Sequence, residues 1–206
     1  MPEFPDLQTI ALRLLAVGIA LAAWFVTQRM IAERSISGGA IYDHFHVITA
    51  RWNGWFHRHH KATNAALVAS SLGIDLLTLF VLAFAVLGPS FAPFWGLLGL
   101  FFLRQMSQAA VALPAPEGVI WRHPGFPSLF VTYHVGNDFF FSGHTALAVY
   151  GAMQLATLGN PALTALGIVI ATLEAIIVIV LRAHWTMDVL AGFFAAVGAG
   201  LLVWWW

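Results

Sequence analysis

Long apolar runs alternate with short polar breaks along this chain. The runs cover about 7–26, 65–87, 91–113, 142–158, 161–181 and 184–206. About 17–25 largely apolar residues suffice to cross the hydrocarbon of a bilayer as a helix. The pattern therefore predicts an all-α polytopic membrane protein with six transmembrane helices in a single domain, 1–206. The breaks carry residues that stop helices. Pro89 and Pro93 divide the second run from the third, and Gly159-Asn160-Pro161 makes a tight turn between the fourth and fifth. Arg104, Gln105 and Gln108 interrupt the third run, so its second half must face protein or water. Arg13, near the start of the first, is long enough to snorkel to the interface. Trp204, Trp205 and Trp206 suit an interfacial aromatic belt.

Between the first and second runs the pattern changes to an amphipathic one, over about 41–60. Ile41, Phe45, Ile48, Trp52, Trp55 and Phe56 recur at helical spacing, and Asp43, His46, Arg51, Asn53 and Arg58 take the other side. Two placements give this pattern: a helix lying on the membrane surface, or one packed on the ends of the bundle. The basic stretch His57-Arg58-His59-His60-Lys61 follows and reads as solvated interfacial sequence. The opening MPEFPD is acidic where a secretory signal is basic, so the first run reads as a retained span.

Composition narrows the class. Hydrophobic residues make up 60% of the chain and charged residues 9%, where a soluble domain carries roughly 25% charged residues. That composition argues against a water-soluble fold. Formal net charge is zero, which gives no long-range field for nucleic acid, and the absence of cysteine excludes disulfides and thiolate metal sites.

Two polar clusters stand at predicted helix starts. The first, Asp138-Phe139-Phe140-Phe141-Ser142-Gly143-His144-Thr145, enters the fourth span. A helix N-terminus offers unpaired amides and a positive dipole end to an anion. Ser142 suits the N-cap, Gly143 leaves room for an oxyanion, and His144 hangs beside it. The second, Arg182-Ala183-His184-Trp185-Thr186-Met187-Asp188, enters the sixth span. His184 and Asp188 share a helix face at i,i+4, so the carboxylate can hold one ring nitrogen and leave the other as nucleophile or base. Arg182 adds a planar fork of donors for phosphate oxygens. With six spans, both clusters lie on one side of the membrane.

GNDFFFSGHT and RAHWTMDV, with RQMSQAAVALPAP from Arg104 to Pro116, resemble the sphingomyelin synthase-like branch of the type 2 phosphatidic acid phosphatase superfamily. The resemblance implies that His184 attacks phosphorus, Asp188 supports it and His144 protonates the leaving alcohol. It raises Arg104 as a second phosphate ligand, beside Asp138, Ser142, Gly143 and Arg182 as substrate-binding residues. Some positions depart from the family. Val178 stands where the broad superfamily has an arginine, its Lys-and-Arg-Pro motif is missing, Gly136-Asn137-Asp138 replaces Cys-Gly-Asp, and Trp185 replaces a tyrosine. These departures bear on substrate choice more than on chemistry.

The leading reading is a lipid phosphotransferase. It moves a phospholipid phospho-headgroup, such as phosphocholine or phosphoethanolamine, to a lipid alcohol such as ceramide, or to water, with neither metal nor organic cofactor. One rival is a lipid phosphomonoesterase acting on phosphatidate or a polyprenyl pyrophosphate. The other, a transporter or scramblase, would use Asp75, Glu174 and the histidines as a polar path. Asp75 and Glu174 each need a partner such as Arg104, or a proton, inside a span. Orientation draws two opposed arguments. All of the nine Lys and Arg residues except Arg13 fall on the side of the first, third and fifth connections, which the positive-inside rule calls cytoplasmic. The resemblance places that face outside or in the lumen, and it is preferred because Arg104, Arg122 and Arg182 can be retained for substrate.

Overall fold

The computed structural model describes residues 4–32, 41–133, 136 and 139–204. Among them the chain is all-α, with helices α1 (Leu7–Ala32), α2 (His44–Ile48), α3 (Ala50–Arg58), α4 (His60–Leu87), α5 (Ala92–Ala110), α6 (Gly143–Ala156), α7 (Pro161–Val180) and α8 (Thr186–Trp204). The six apolar runs correspond to α1 and α4–α8. Four helical stretches, Leu7–Met30, His60–Leu87, Pro161–Val180 and Thr186–Trp204, are long and apolar enough to cross a membrane. α5 carries the buried Arg104 and Gln108. α6 has 14 residues, about 21 Å of helix against roughly 30 Å of hydrocarbon.

α6 is the hub of the bundle. It packs against α4, α5, α7 and α8, and Ala148 and Tyr150 on it are fully buried. The Tyr150 hydroxyl, deep among apolar neighbours, donates to the Pro93 carbonyl at 2.8 Å. α1 lies at the edge. It meets the bundle through Val17, Ala16, Ala20 and Leu21 against Ala85, Val86 and Phe94. Arg13 donates to the carbonyls of Ala85 at 3.2 Å and Gly88 at 2.9 Å, satisfying the end of α4. Trp205 and Trp206 lie outside the described residues, so the aromatic belt is represented by Trp204 alone.

The amphipathic segment forms two helices, not one helix over 41–60. Thr49 breaks it, and its hydroxyl donates to the Phe45 carbonyl at 2.7 Å. Its outward side is apolar, with Phe45, Ile48, Trp52 and Trp55 exposed, and its buried residues are the polar His46, Thr49 and Asn53. That is the polarity of a helix lying on a membrane surface, with its polar side turned to the protein. α4 begins at His60, five residues before the run's expected start at Ala65. In the basic stretch, a His57 ring nitrogen lies 3.2 Å from the Gly118 carbonyl and His59 stacks on Trp55.

The connection from α5 to α6 folds back into the bundle and supplies the partner that Asp75 needs. The Asp75 carboxylate accepts the amides of Leu129 at 2.9 Å and Phe130 at 3.0 Å, and the Ser128 hydroxyl at 3.4 Å. Its partner is therefore loop backbone, not Arg104. Non-helical backbone inside a bundle needs such acceptors, because water is not there to serve. Glu174 accepts the Ser70 hydroxyl at 2.8 Å, which braces α7 against α4.

Candidate active site

Two helix starts and one helix-ending turn build the site. The Ser142 hydroxyl accepts the Thr145 amide at 3.3 Å and caps α6, as its residue type predicts. The amides of Gly143 and His144 have no partner within the helix. α8 begins beside them, where the Ser142 amide donates to the Asp188 carbonyl at 3.0 Å. The approach is so close that a Cβ at Gly192 would stand 2.6 Å from the Ser142 carbonyl oxygen. α7 ends in a Schellman turn. The Ala183 amide donates to Val178 O at 2.9 Å and the Arg182 amide to Ile179 O at 3.1 Å. Arg182 occupies the left-handed position of that turn at φ 57°, where glycine is usual. Such a backbone costs about 1–2 kcal/mol for a residue with a Cβ. Its guanidinium holds the turn by donating to Glu117 O at 2.6 Å and His46 O at 3.0 Å.

This turn sets His184 against His144. His184 Nε2 lies 3.4 Å from His144 Nδ1. The other His184 nitrogen, Nδ1, is 3.1 Å from the Phe139 carbonyl and 3.6 Å from Asp188 Oδ2. Both of those neighbours are acceptors, so Nδ1 carries the hydrogen and Nε2 keeps its lone pair. Asp188 is completely buried. Its Oδ2 also accepts the Trp185 amide at 2.9 Å, the reach-back bond of a capping box. Its Oδ1 has no hydrogen-bond partner among the described residues. The i,i+4 pairing is thus present at 3.6 Å, and the closer holder of the ring is the Phe139 carbonyl at 3.1 Å.

Arg104 is the cation of the site. Its Nε donates to Phe141 O at 3.1 Å, and Nη1 donates to Gln28 at 2.8 Å and Gln108 at 3.3 Å. A Cβ on Gly143 would come within 2.9 Å of Arg104 Nε, so glycine lets the guanidinium lie against the α6 start. Arg104, Gln28, Gly143 and His144 line a chamber of about 30 Å³, walled otherwise by Trp24, Phe101, Phe130 and their neighbours. A larger apolar cleft of about 870 Å³ runs beside α7 and α8, beneath Phe45, Thr49 and Trp52. Its α6 wall is Thr145, Val149 and Ala152, whereas the chamber takes Gly143, His144 and Leu147, so α6 separates the two.

His144, His184, Asp188, Ser142, Gly143 and Arg104 therefore come together. Arg182 does not line the chamber, and Asp138 lies outside the described residues. Sequence reasoning missed the Phe139 carbonyl, Gln28 and the surface-segment residues Asp43 and His46. Asp43 accepts the Thr186 amide at 2.7 Å and its hydroxyl at 2.8 Å. His46 Nε2 lies 3.0 Å from the His184 carbonyl. Burial would raise the Asp43 carboxyl, but the bonds from Thr186 and His46 hold it below the usual range. Burial pushes the His46 imidazole below the ordinary histidine range, against the pull of Asp43. A lone Gln at the end of an apolar run, and a histidine midway along an amphipathic one, were the available signals.

No curated protein and no solved structure matches the chain. Residues 136–206, which contain both histidines and Asp188, match the family model described as PAP2 superfamily C-terminal, so this part of the chain is similar to that superfamily.

Proposed function

We propose that this protein is a membrane lipid phosphotransferase of the sphingomyelin synthase-like branch. It moves the phospho-headgroup of a phospholipid to a lipid alcohol such as ceramide, or to water. The observation that carries the reading is the meeting of His184 Nε2, which keeps its lone pair and accepts from His144 Nδ1 at 3.4 Å, beside Arg104 and the α6 start. In the first half-reaction His184 Nε2 attacks phosphorus, the bond to the diacylglycerol oxygen breaks, and His144 as imidazolium gives that oxygen its proton. Arg104 and the amides of Gly143 and His144 stabilise the charge on the equatorial oxygens. In the second, the acceptor hydroxyl attacks the phosphohistidine, His144 takes its proton, and the phosphorus–nitrogen bond breaks. Asp188 and the Phe139 carbonyl orient the His184 ring throughout.

The resting pair leaves no room for phosphorus between the two rings. In-line attack needs about 3 Å from nitrogen to phosphorus, and the proton donor must reach the leaving oxygen at about 2.8 Å. Substrate entry therefore parts the rings to roughly twice their resting separation. Six membrane crossings belong to this reading, with α5 turning Trp95, Phe102, Leu103 and Met106 outward as a lipid-facing side and the short α6 inside the bundle. So does the exoplasmic or lumenal placement of the site. Asp75 and Glu174 have separate partners, loop amides and Ser70, which argues against the polar path that transport requires.

Incubation of purified protein with a panel of labelled phospholipids, with and without ceramide, tests the reading. Headgroup transfer to ceramide, or release of diacylglycerol with an intact phospho-headgroup, is the expected result. Release of inorganic phosphate from phosphatidate or a polyprenyl pyrophosphate alone would favour the phosphomonoesterase.

A further inference from the structure

His184 sits in the non-helical joint between α7 and α8, and that joint is fastened from outside the bundle. The α5–α6 connection holds part of it, through the Glu117 carbonyl on Arg182 and the Pro114 carbonyl on the Trp185 ring nitrogen, and the surface segment α2–α3 with the residue preceding it holds the rest. Asp43 binds the amide and hydroxyl of Thr186, at 2.7 and 2.8 Å. His46 Nε2 meets the carbonyl of His184 itself at 3.0 Å, and because a carbonyl only accepts, Nε2 carries the hydrogen. The His46 ring stacks on that of Trp185, with centroids 5.3 Å apart. The His46 carbonyl receives Arg182 Nη2, and the Asn53 amide donates to Val180 O at 3.0 Å. Residues 180, 182, 184, 185 and 186 are thus each held by the segment. The side of α2–α3 that makes these contacts is polar and buried, which a helix merely resting on lipid would not require.

We propose that His46 and Asp43 are positioning residues for His184, so that the surface segment is a strap that sets the ring of the nucleophile. The role rests on the functional reading of His184, because positioning matters only if that ring reacts. His46 fixes the backbone of residue 184 from one side while Phe139 and Asp188 fix its Nδ1 from the other. Asp43 fixes the first turn of α8, which carries Asp188. Loss of either tie lets the joint relax, and the His184 Nε2 lone pair then leaves its line to phosphorus. Neither residue lines the chamber, so a positioning role predicts a loss in kcat and not in KM.

The test compares His46→Ala, His46→Gln and Asp43→Asn in the full-length protein, using p-nitrophenyl phosphocholine as a donor with a good leaving group. Alanine should lower kcat about 10–100-fold with KM within about twofold, since a small displacement far from the bond change carries a penalty of this order. Glutamine keeps a donor near the Nε2 position and should return kcat to within about threefold of wild type. Nitrogen-15 histidine spectra should show one Nδ1–H tautomer of His184 in the wild type and a mixture in His46→Ala. Wild-type kcat and a single tautomer in His46→Ala would overturn the proposal. So would equal losses in alanine and glutamine variants with an unchanged His184 spectrum. If His46→Ala does not fold, Asp43→Asn decides by the same two readouts. If the wild type turns over no donor at all, the functional reading fails, while the tautomer comparison still judges the strap.

Discussion

Gly143→Ala is the sharpest test of how Arg104 is placed. The added methyl would stand 2.9 Å from Arg104 Nε and 3.2 Å from its Cζ, closer than carbon–nitrogen contacts permit. Arg104 cannot simply swing away, because its Nε is bonded to Phe141 O and its Nη1 to Gln28 and Gln108. Moving it by a few tenths of an ångström weakens at least one charged hydrogen bond, each worth about 1.5–3 kcal/mol. Alanine repays about 0.5–1 kcal/mol through the loss of glycine's backbone freedom at a helical position. Net destabilisation should therefore be about 1–2 kcal/mol, leaving the protein folded. Activity should suffer more. Removing one oxyanion donor outright costs about 10²–10³-fold in kcat, so a displaced one should lower kcat about 10–100-fold. Thermal melting in detergent alongside initial rates with p-nitrophenyl phosphocholine separates the two effects. Wild-type kcat in a folded Gly143→Ala protein would show that the guanidinium does not act at the position described.

Asp188→Asn keeps an oxygen for the Trp185 amide, so melting should change little while kcat falls sharply; turnover near that of the wild type would remove Asp188 from the mechanism. In His144→Ala an activated donor should still form the phosphohistidine while transfer from it fails. Acid-labile phosphoprotein should then accumulate, with donors that need leaving-group protonation slowed about 10²–10⁴-fold; labelling of His184→Ala but not of His144→Ala would reverse the roles. His46 has a folded-state pKa below its ordinary 6.5, so below that pH the unfolded chain binds a proton the folded chain refuses, and stability falls as pH falls. His46→Gln should flatten that part of the melting curve between pH 7.5 and 5.5, and an unchanged slope would contradict the burial argument. Because the chain has no cysteine, His123→Cys, at an exposed position, should react with an impermeant thiol reagent on intact cells or sealed vesicles of the exoplasmic orientation. Labelling only after permeabilisation would place this face in the cytoplasm.

The parts of the site that could be read from sequence are those with local geometry. His184 and Asp188 are one helical turn apart, Ser142 is a capping residue, and Gly143 precedes a histidine at a helix start; each relation survives folding because it lies within a few residues. Relations made through backbone carbonyls left no such trace. Nothing in the residue type of Phe139 announces that its carbonyl is the nearer partner of His184, at 3.1 Å against 3.6 Å for Asp188. The partner of Asp75 was hidden for the same reason, since any loop offers amides. The residue type of Arg182 suits phosphate, but nothing in it announced that at the end of α7 it would hold a left-handed turn against the Glu117 and His46 carbonyls. Hydropathy alone also treated all six runs as equivalent. It could not register that α6 packs against α4, α5, α7 and α8 at once.

The division of the chain follows from these contacts. The matched region, 136–206, supplies the two histidines, Asp188 and the starts of α6 and α8. The residues that aim them come from before it: Gln28 on α1 holds Arg104, and Asp43, His46 and Asn53 hold the joint around His184. A change of substrate therefore does not require a change in the reacting groups. The chamber walls Trp24, Phe101 and Phe130 also belong to the first part of the chain, so the same half that positions the chemistry shapes what reaches it. The segment doing most of the aiming is also the one whose outer side is apolar, with Trp52 and Trp55 exposed. Its seating in the membrane interface and the alignment of His184 are consequently one mechanical problem. Extraction into a detergent that does not support α2–α3 should lower kcat before it lowers the melting temperature of the bundle.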